Sequence, residues 1–203
     1  MKNVKDFYNK TANEWAEKWY PNEVLLPMLT KYISLFDAKP CILDAGCGAG
    51  YESMRLTRLG AEVTGIDISE ESIGIARAKN PDSRFEVMDC KHLDESLGIF
   101  DGIVAFALIV HIEDSELHIV FDNLRKVIKP SGFLLVAFVE GDGFDEKRSL
   151  VEIDGEEYNR AFYRHKPDRI VEVAQKSKFN FYDEWFLDES IGQWKYYVFQ
   201  AIT

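Results

Sequence analysis

The chain has little of what marks several classes of protein. Its three cysteines, Cys41, Cys47 and Cys90, form no C-x-x-C pair and no paired spacing, and an odd count of this kind fits a reducing compartment. Long hydrophobic runs are missing: the longest, Ile103 to Val110, falls far short of the roughly 20 apolar residues that a membrane span needs. The first residues, Met1-Lys-Asn-Val-Lys-Asp6, hold no apolar stretch of the signal-peptide kind. Together these features predict a cytoplasmic protein with no membrane partner. Basic clusters are absent too. Lys and Arg total 24 against 35 Asp and Glu, a net charge of −11, whereas a nucleic-acid partner calls for a basic face. No internal repeat or low-complexity segment is present.

What is there is an alternation of two hydrophobic periods. The 203 residues suit a single domain with a sizeable core. Cys41–Ala45 reads as a strand and Tyr51–Leu59 as a helix capped by Gly60. Glu62–Asp67 is a second strand, followed by a helix that Ser69 can cap and Asn80-Pro81 stops. Arg84–Met88 and Gly102–Ile109 are further strands. A helix follows from Asp114 or Ser115, with Leu117, Val120, Phe121, Leu124 and Ile128 on one face. Lys129-Pro130-Ser131-Gly132 ends it before a strand at Phe133–Val139. Such β/α alternation predicts a parallel sheet covered on both faces. Val4–Leu35 has a helical pattern. Gly141–Lys166 is charged and mixed, Pro167–Lys178 is helical in pattern, and two aromatic strands, Phe179–Leu187 and Trp194–Thr203, are joined by a loop at Asp188–Gln193.

The densest signal lies in Cys41-Ile-Leu-Asp-Ala-Gly-Cys-Gly-Ala-Gly50. Three alternate glycines follow a strand and precede a helix, so backbone can approach a ligand closely and present unpaired N–H groups. About twenty residues on, Val63-Thr-Gly-Ile-Asp67 ends the second strand in an acid, the place from which a carboxylate accepts hydrogen bonds from ribose hydroxyls. A dinucleotide site asks for G-x-G-x-x-G and a pyrophosphate at the helix start. Here the spacing is G-x-G-x-G, and Asp44 before it repels phosphate and suits an amino group.

These residues resemble the class I S-adenosylmethionine-dependent methyltransferases. Leu43-Asp-Ala-Gly-Cys-Gly-Ala-Gly50 resembles the family's first motif and Gly65-Ile-Asp-Ile-Ser69 its ribose motif. Val87-Met-Asp-Cys90 resembles the adenine-contacting segment, and Phe100-Asp101 through Phe106-Ala-Leu to His111-Ile112 the fourth motif. Leu124-Arg-Lys-Val-Ile-Lys-Pro-Ser-Gly-Phe133 resembles the run into the fifth strand. The resemblance implies an α/β fold: a doubly wound, mostly parallel seven-stranded sheet in the order 3-2-1-4-5-7-6, helices on both faces and the last strand antiparallel. It implies one methyltransferase domain: an N-terminal helical cap (1–36), a cofactor-binding core (37–139), and an acceptor-side insert with a C-terminal hairpin (140–203). It implies S-adenosyl-L-methionine as cofactor, held by Tyr8, Asp44, Gly46, Cys47, Gly48, Asp67, Ile68, Asp89, Cys90 and Phe106. It also places Tyr163 and His165 where acceptor contacts often lie.

The chemistry is an in-line methyl displacement that needs positioning and desolvation more than a catalytic side chain. His111, after the fourth strand, is the candidate acceptor-side base, its ordinary pKa near 6.5 being suitable. His111, Asp114 and His118 lack the fourth ligand of a metal site, so no metal is expected. Tyr8, Trp15, Trp19 and Tyr20 read either as a lid over the cofactor or as an aromatic helix face packed on the sheet, the second being preferred for Trp15 and Trp19. The Asp-Pro-Pro-Tyr type of signature of amino-group methylation on nucleic acids and proteins is replaced by Phe106-Ala-Leu-Ile. With the short insert, this points to a small-molecule acceptor presenting an O, N, S or C nucleophile, and to a monomer or homodimer. The alternative is a catalytically silent module that binds S-adenosylmethionine or S-adenosylhomocysteine.

Overall fold

Cys41–Ala45 (β1), Glu62–Asp67 (β2), Arg84–Val87 (β3), Phe100–Ala105 (β4), Ile128–Val139 (β5), Phe179–Trp185 (β6) and Trp194–Ala201 (β7) form one seven-stranded sheet in the order 3-2-1-4-5-7-6. This computed structural model describes residues 1–93, 95–187 and 193–202. The strands from β3 to β5 run parallel, and β7 lies antiparallel between β5 and β6. The period of two sorts side chains cleanly. Leu43, Ala45, Ile103, Ala105, Leu134, Val136 and Phe138 enter the core under Leu117–Lys126 (α5) and Pro167–Lys176 (α6). Ile42, Val104, Leu135 and Ala137 enter the opposite core under Leu26–Ile33 (α2) and Tyr51–Arg58 (α3). Strands buried on both faces are why these runs are apolar throughout.

The N-terminal segment makes two helices rather than one continuous pattern: Val4–Trp19 (α1), started by an Asn3–Asp6 capping box, and α2, with Pro27 in its first turn. α1 lies against Glu70–Lys79 (α4) and the insert. Arg55 fixes its far end. The buried guanidinium donates to the carbonyls of Trp19 (2.7 Å), Tyr20 (3.1 Å) and Asn22, groups that a helix end leaves unpaired.

Gly141–Lys166 holds ordered structure that composition does not suggest. Leu150–Ile153 and Glu156–Asn159 form an antiparallel hairpin around Asp154-Gly155, both at positive φ, the backbone of a type I′ turn. Lys2 extends this hairpin, donating to the Glu157 carbonyl and accepting from the Asn159 N–H. Gly143–Phe144 pairs with Tyr163–Arg164, which leads back to the main sheet.

Two strand boundaries differ from the sequence reading. The fourth strand ends at Ala105, and Ile109–His111 forms a short 3-10 turn. The fifth begins at Ile128, with Lys129–Gly132 accommodated as an irregularity in its pairing with β4 and Ser131 at φ 65°. Pro130 is tolerated there because a bulge relieves the ladder of its missing N–H. The predicted loop at Asp188–Gln193 lies, apart from Gln193, outside the described residues. At this bulge Tyr32 sets its hydroxyl against the carbonyls of Ile103 (3.1 Å) and Phe133 (2.7 Å). A Cβ on Gly102 would strike that hydroxyl and lie 2.6 Å from the Phe36 ring. Gly102→Ala is therefore expected to destabilise the fold by about 1–3 kcal/mol through overpacking, read as a lower urea midpoint at unchanged slope.

Candidate active site

Order reverses between β1 and β4, and the carboxyl ends of these strands flank a crevice, the place where open α/β sheets hold ligands. β1 delivers the glycine turn. Gly46, Gly48 and Gly50 all have positive φ, and a Cβ on Gly46 would press on Leu108 at 3.1 Å. The N–H groups of Gly46 and Cys47 both donate to the Ile66 carbonyl, which ties the turn to β2. Asp67, ending β2, completes the tie. Its carboxylate accepts from Gly48 N–H (2.9 Å) and Ser69 N–H (2.9 Å), and Ser69 in turn caps α4. Burial raises the Asp67 pKa against these bonds, and its remaining lone pairs face a cavity of about 190 Å³.

That cavity gathers most of the predicted site. Tyr8, Gly46, Gly48, Asp67, Ile68, Asp89, Cys90, Phe106 and His111 line it, with Met88 and Leu108 adding apolar wall. Asp89 is held by the Lys91 N–H at 2.8 Å. Cys47 does not point there. Its thiol packs with Ile73, Ala76 and Phe85, because the alternate residue of the turn faces inward, so only its backbone belongs to the site.

A second cavity of about 240 Å³ adjoins the first and shares Tyr8, Trp15, Gly46, Tyr51, Phe106 and Ala107 with it. Trp15 and Trp19 face this space rather than packing on the sheet. Asp44 and Glu52 border it, both buried. Asp44 accepts from the Ser53 hydroxyl at 2.6 Å, yet burial pushes its pKa up to about 7. Glu52 is raised by burial and by Asp44, against the pull of Arg55, to about 8. Sequence reading missed Glu52, which there is only a first-turn acid. It also missed Arg160, which the hairpin carries to the cavity.

His111 lines the first cavity and touches Tyr8, which lines both. Its Nδ1 lies 2.9 Å from the Arg160 carbonyl and 3.2 Å from that of Ala161, and its Nε2 2.8 Å from the Tyr8 hydroxyl. Carbonyls only accept, so Nδ1 carries the proton and Nε2 accepts from Tyr8. Arg160 donates to the same hydroxyl at 3.2 Å. Ala161 at φ 46° and Ala107 at φ 54° are non-glycine residues in the left-handed region, strain that collects at functional sites. Burial, then the Arg160 charge, pushes the His111 pKa down to about 4, far from the ordinary value that suits a free base.

The remaining expectations fall elsewhere. His165 is buried, with Nε2 on the Ile109 carbonyl at 2.9 Å, and Tyr163 stacks edge-on with Phe144. Neither lines these two cavities. Asp114 pairs with Arg169 at 2.9 Å.

A family profile described as a methyltransferase domain matches residues 42–132. The chain is similar to the ubiquinone biosynthesis O-methyltransferase of Shewanella halifaxensis, 22% identical over 91% of this chain and 82% of that one. The enzyme of that name from Coxiella burnetii is 30% identical over 74% and 66%. The fold is shared with magnesium protoporphyrin IX methyltransferase of Synechocystis, solved with bound S-adenosylhomocysteine: TM-score 0.77, 18% identity, 98% and 97% covered. The chain belongs to the class I S-adenosylmethionine-dependent methyltransferases. It is an enzyme of that class, with S-adenosylmethionine as methyl donor.

The residues fit that donor. Gly46 and Gly48, both at positive φ, bring bare backbone to the first cavity. Asp67 keeps free lone pairs for hydroxyls. Asp44 is buried with the Ser53 hydroxyl as its partner and no cation beside it, and its raised pKa marks an acid that a nearby ammonium would ionise.

Proposed function

We propose that this methyltransferase acts on a small molecule seated in the second cavity while the first takes the adenosyl part of the donor. The observation that carries this reading is the convergence of the glycine turn, Asp67 and Asp89 on one cavity that opens into another lined by aromatic rings. Asp67 would hold the ribose, Asp89 the adenine amino group, Ile68 and Met88 the faces of the base, and Asp44 with Glu52 the ammonium. When bound, S-adenosylmethionine supplies a methyl group made electrophilic by its sulfonium. The relatives' printed name, O-methyltransferase, supports an oxygen nucleophile, and the three free cysteines suit a cytoplasmic setting.

The chain's own residues then handle the acceptor's proton. The Tyr8 oxygen, having donated to His111 and accepted from Arg160, retains a lone pair toward the cavity. An acceptor hydroxyl can donate to it as the Tyr8 proton shifts to His111 Nε2. A pKa near 4 makes His111 a weak proton store, so its first work is to orient Tyr8. Tyr8→Phe keeps the ring and removes the hydroxyl. Turnover is expected to fall about 10²-fold, with S-adenosylhomocysteine affinity changed by less than about threefold. Equal losses in both would move Tyr8 to the donor.

The function itself is tested by incubating the protein with S-adenosylmethionine and a panel of small phenols, amines and thiols and measuring release of S-adenosylhomocysteine. Acceptor-dependent release is expected. Tight binding without release for any acceptor class would make the protein a non-catalytic module.

A further inference from the structure

We propose that the second cavity takes a planar aromatic acceptor carrying an anionic oxygen group, a carboxylate or an ionised hydroxyl, with Arg160 as its counter-ion. The inference rests on the functional reading above and names the acceptor class for the same site.

Arg160 calls for that anion. Its guanidinium sits among the rings of Phe7 (5.0 Å), Phe162 (5.4 Å), Trp15 (5.7 Å) and Tyr8 (5.9 Å). Among the described residues no carboxylate pairs with it. Its side chain makes one hydrogen bond, to the Tyr8 hydroxyl, and its Nε is buried with no partner. By contrast Arg164, in the same insert, takes Asp145 at 2.9 Å. A half-buried guanidinium whose Nε is shut from water and left without an anion is unfavourable unless a ligand supplies one, the more so in a chain of net charge −11, where carboxylates are plentiful.

The walls give the rest of the ligand. Trp15, Trp19, Phe106, Phe162, Trp194 and Tyr196 line the space, flat apolar surfaces on which an aromatic ring packs. The Trp19 indole N–H is also buried without a partner, a second donor for an oxygen-bearing ligand. Charge is sorted across the cavity: Asp44 and Glu52 border it with Arg160 among the rings, so an ammonium and an anion are drawn to different groups. An anion on Arg160 would also offset the guanidinium charge that, after burial, lowers the His111 pKa.

The rival is that Arg160 serves the carboxylate of the donor itself. Calorimetry on wild-type protein saturated with S-adenosylhomocysteine separates the two. The ligands are para-hydroxybenzoate against para-hydroxybenzamide, and para-nitrophenol above its own pKa against nitrobenzene. Each pair distinguishes one anion source. At least one anion is expected to bind about tenfold or more tighter than its neutral partner, the strength of a charge-assisted bond. In Arg160→Met that preference should vanish while S-adenosylhomocysteine affinity stays within about threefold, and Arg160→Lys should retain part of the preference. Equal binding of anions and neutral partners to wild type, no binding of any of them, or loss of S-adenosylhomocysteine affinity in Arg160→Met would overturn the proposal. Failure of S-adenosylhomocysteine to bind wild type would instead overturn the functional reading beneath it.

Discussion

Asp67→Ala is expected to weaken S-adenosylhomocysteine binding by about 1–3 kcal/mol, roughly 5- to 150-fold. Two effects add. The variant removes the acceptor for ribose hydroxyls, and it releases the Gly48 N–H that the carboxylate holds at 2.9 Å, so the glycine turn loses one of its ties to β2 and keeps those to the Ile66 carbonyl. Asp67→Asn separates them. It keeps an oxygen for one backbone N–H but lacks the charge, and should lie between wild type and Ala. Calorimetric titration checks both, with thermal melts to show that the fold survives. Unchanged affinity in Asp67→Ala would remove the ribose role.

The second large effect is a pH dependence opposite to that of carboxylates whose native partners lower their pKa. Asp44, at about 7, and Glu52, at about 8, have folded-state pKa values above their ordinary 3.8 and 4.5. Between about pH 4 and pH 8 the native protein therefore holds protons that the unfolded chain has released. Stability contributed by these groups must fall as pH rises through that window. For Asp44 alone the ionisation is disfavoured by on the order of 4 kcal/mol, and its coupling to Glu52 keeps the two from adding simply. Asp44→Asn should flatten the slope of urea stability against pH over this range. An ammonium placed beside Asp44 favours the ionised form, so donor affinity should rise with pH up to about 7 and binding should release protons. Titrations in two buffers of different ionisation enthalpy measure that release. A pH-independent affinity with no proton release would separate Asp44 from the ammonium.

How much of this was legible from the residues depends on how local each signal is. The parallel strands declare themselves because both faces are buried, as with Ile103, Val104 and Ala105, and the glycine turn with Asp67 is a contiguous pattern. The hairpin at Leu150–Asn159 is largely exposed, with Tyr158 its one buried side chain, so hydrophobic patterning is silent there. Asp154-Gly155 was the available sign. Arg160 reaches the cavity only because that hairpin binds Lys2 and lies along α1, contacts that span most of the chain. The same distance explains His111. Its place after β4 was readable, whereas its depressed pKa depends on burial and then on a guanidinium 49 residues away. Glu52 gives no sign in the sequence because its burial comes from Arg55 and the end of α1. Pro130 marked a stop for α5 correctly, but the bulge that absorbs it into β5 depends on the neighbouring strand.

The central claim is that the crevice between β1 and β4 holds S-adenosylmethionine through the glycine turn and Asp67. Calorimetric titration of the wild-type protein with S-adenosylhomocysteine tests it most directly. One saturable site with a dissociation constant of about 100 μM or tighter, weakened in Asp67→Ala, is the result expected. No saturable heat up to about millimolar ligand, or binding that Asp67→Ala leaves untouched, would contradict it.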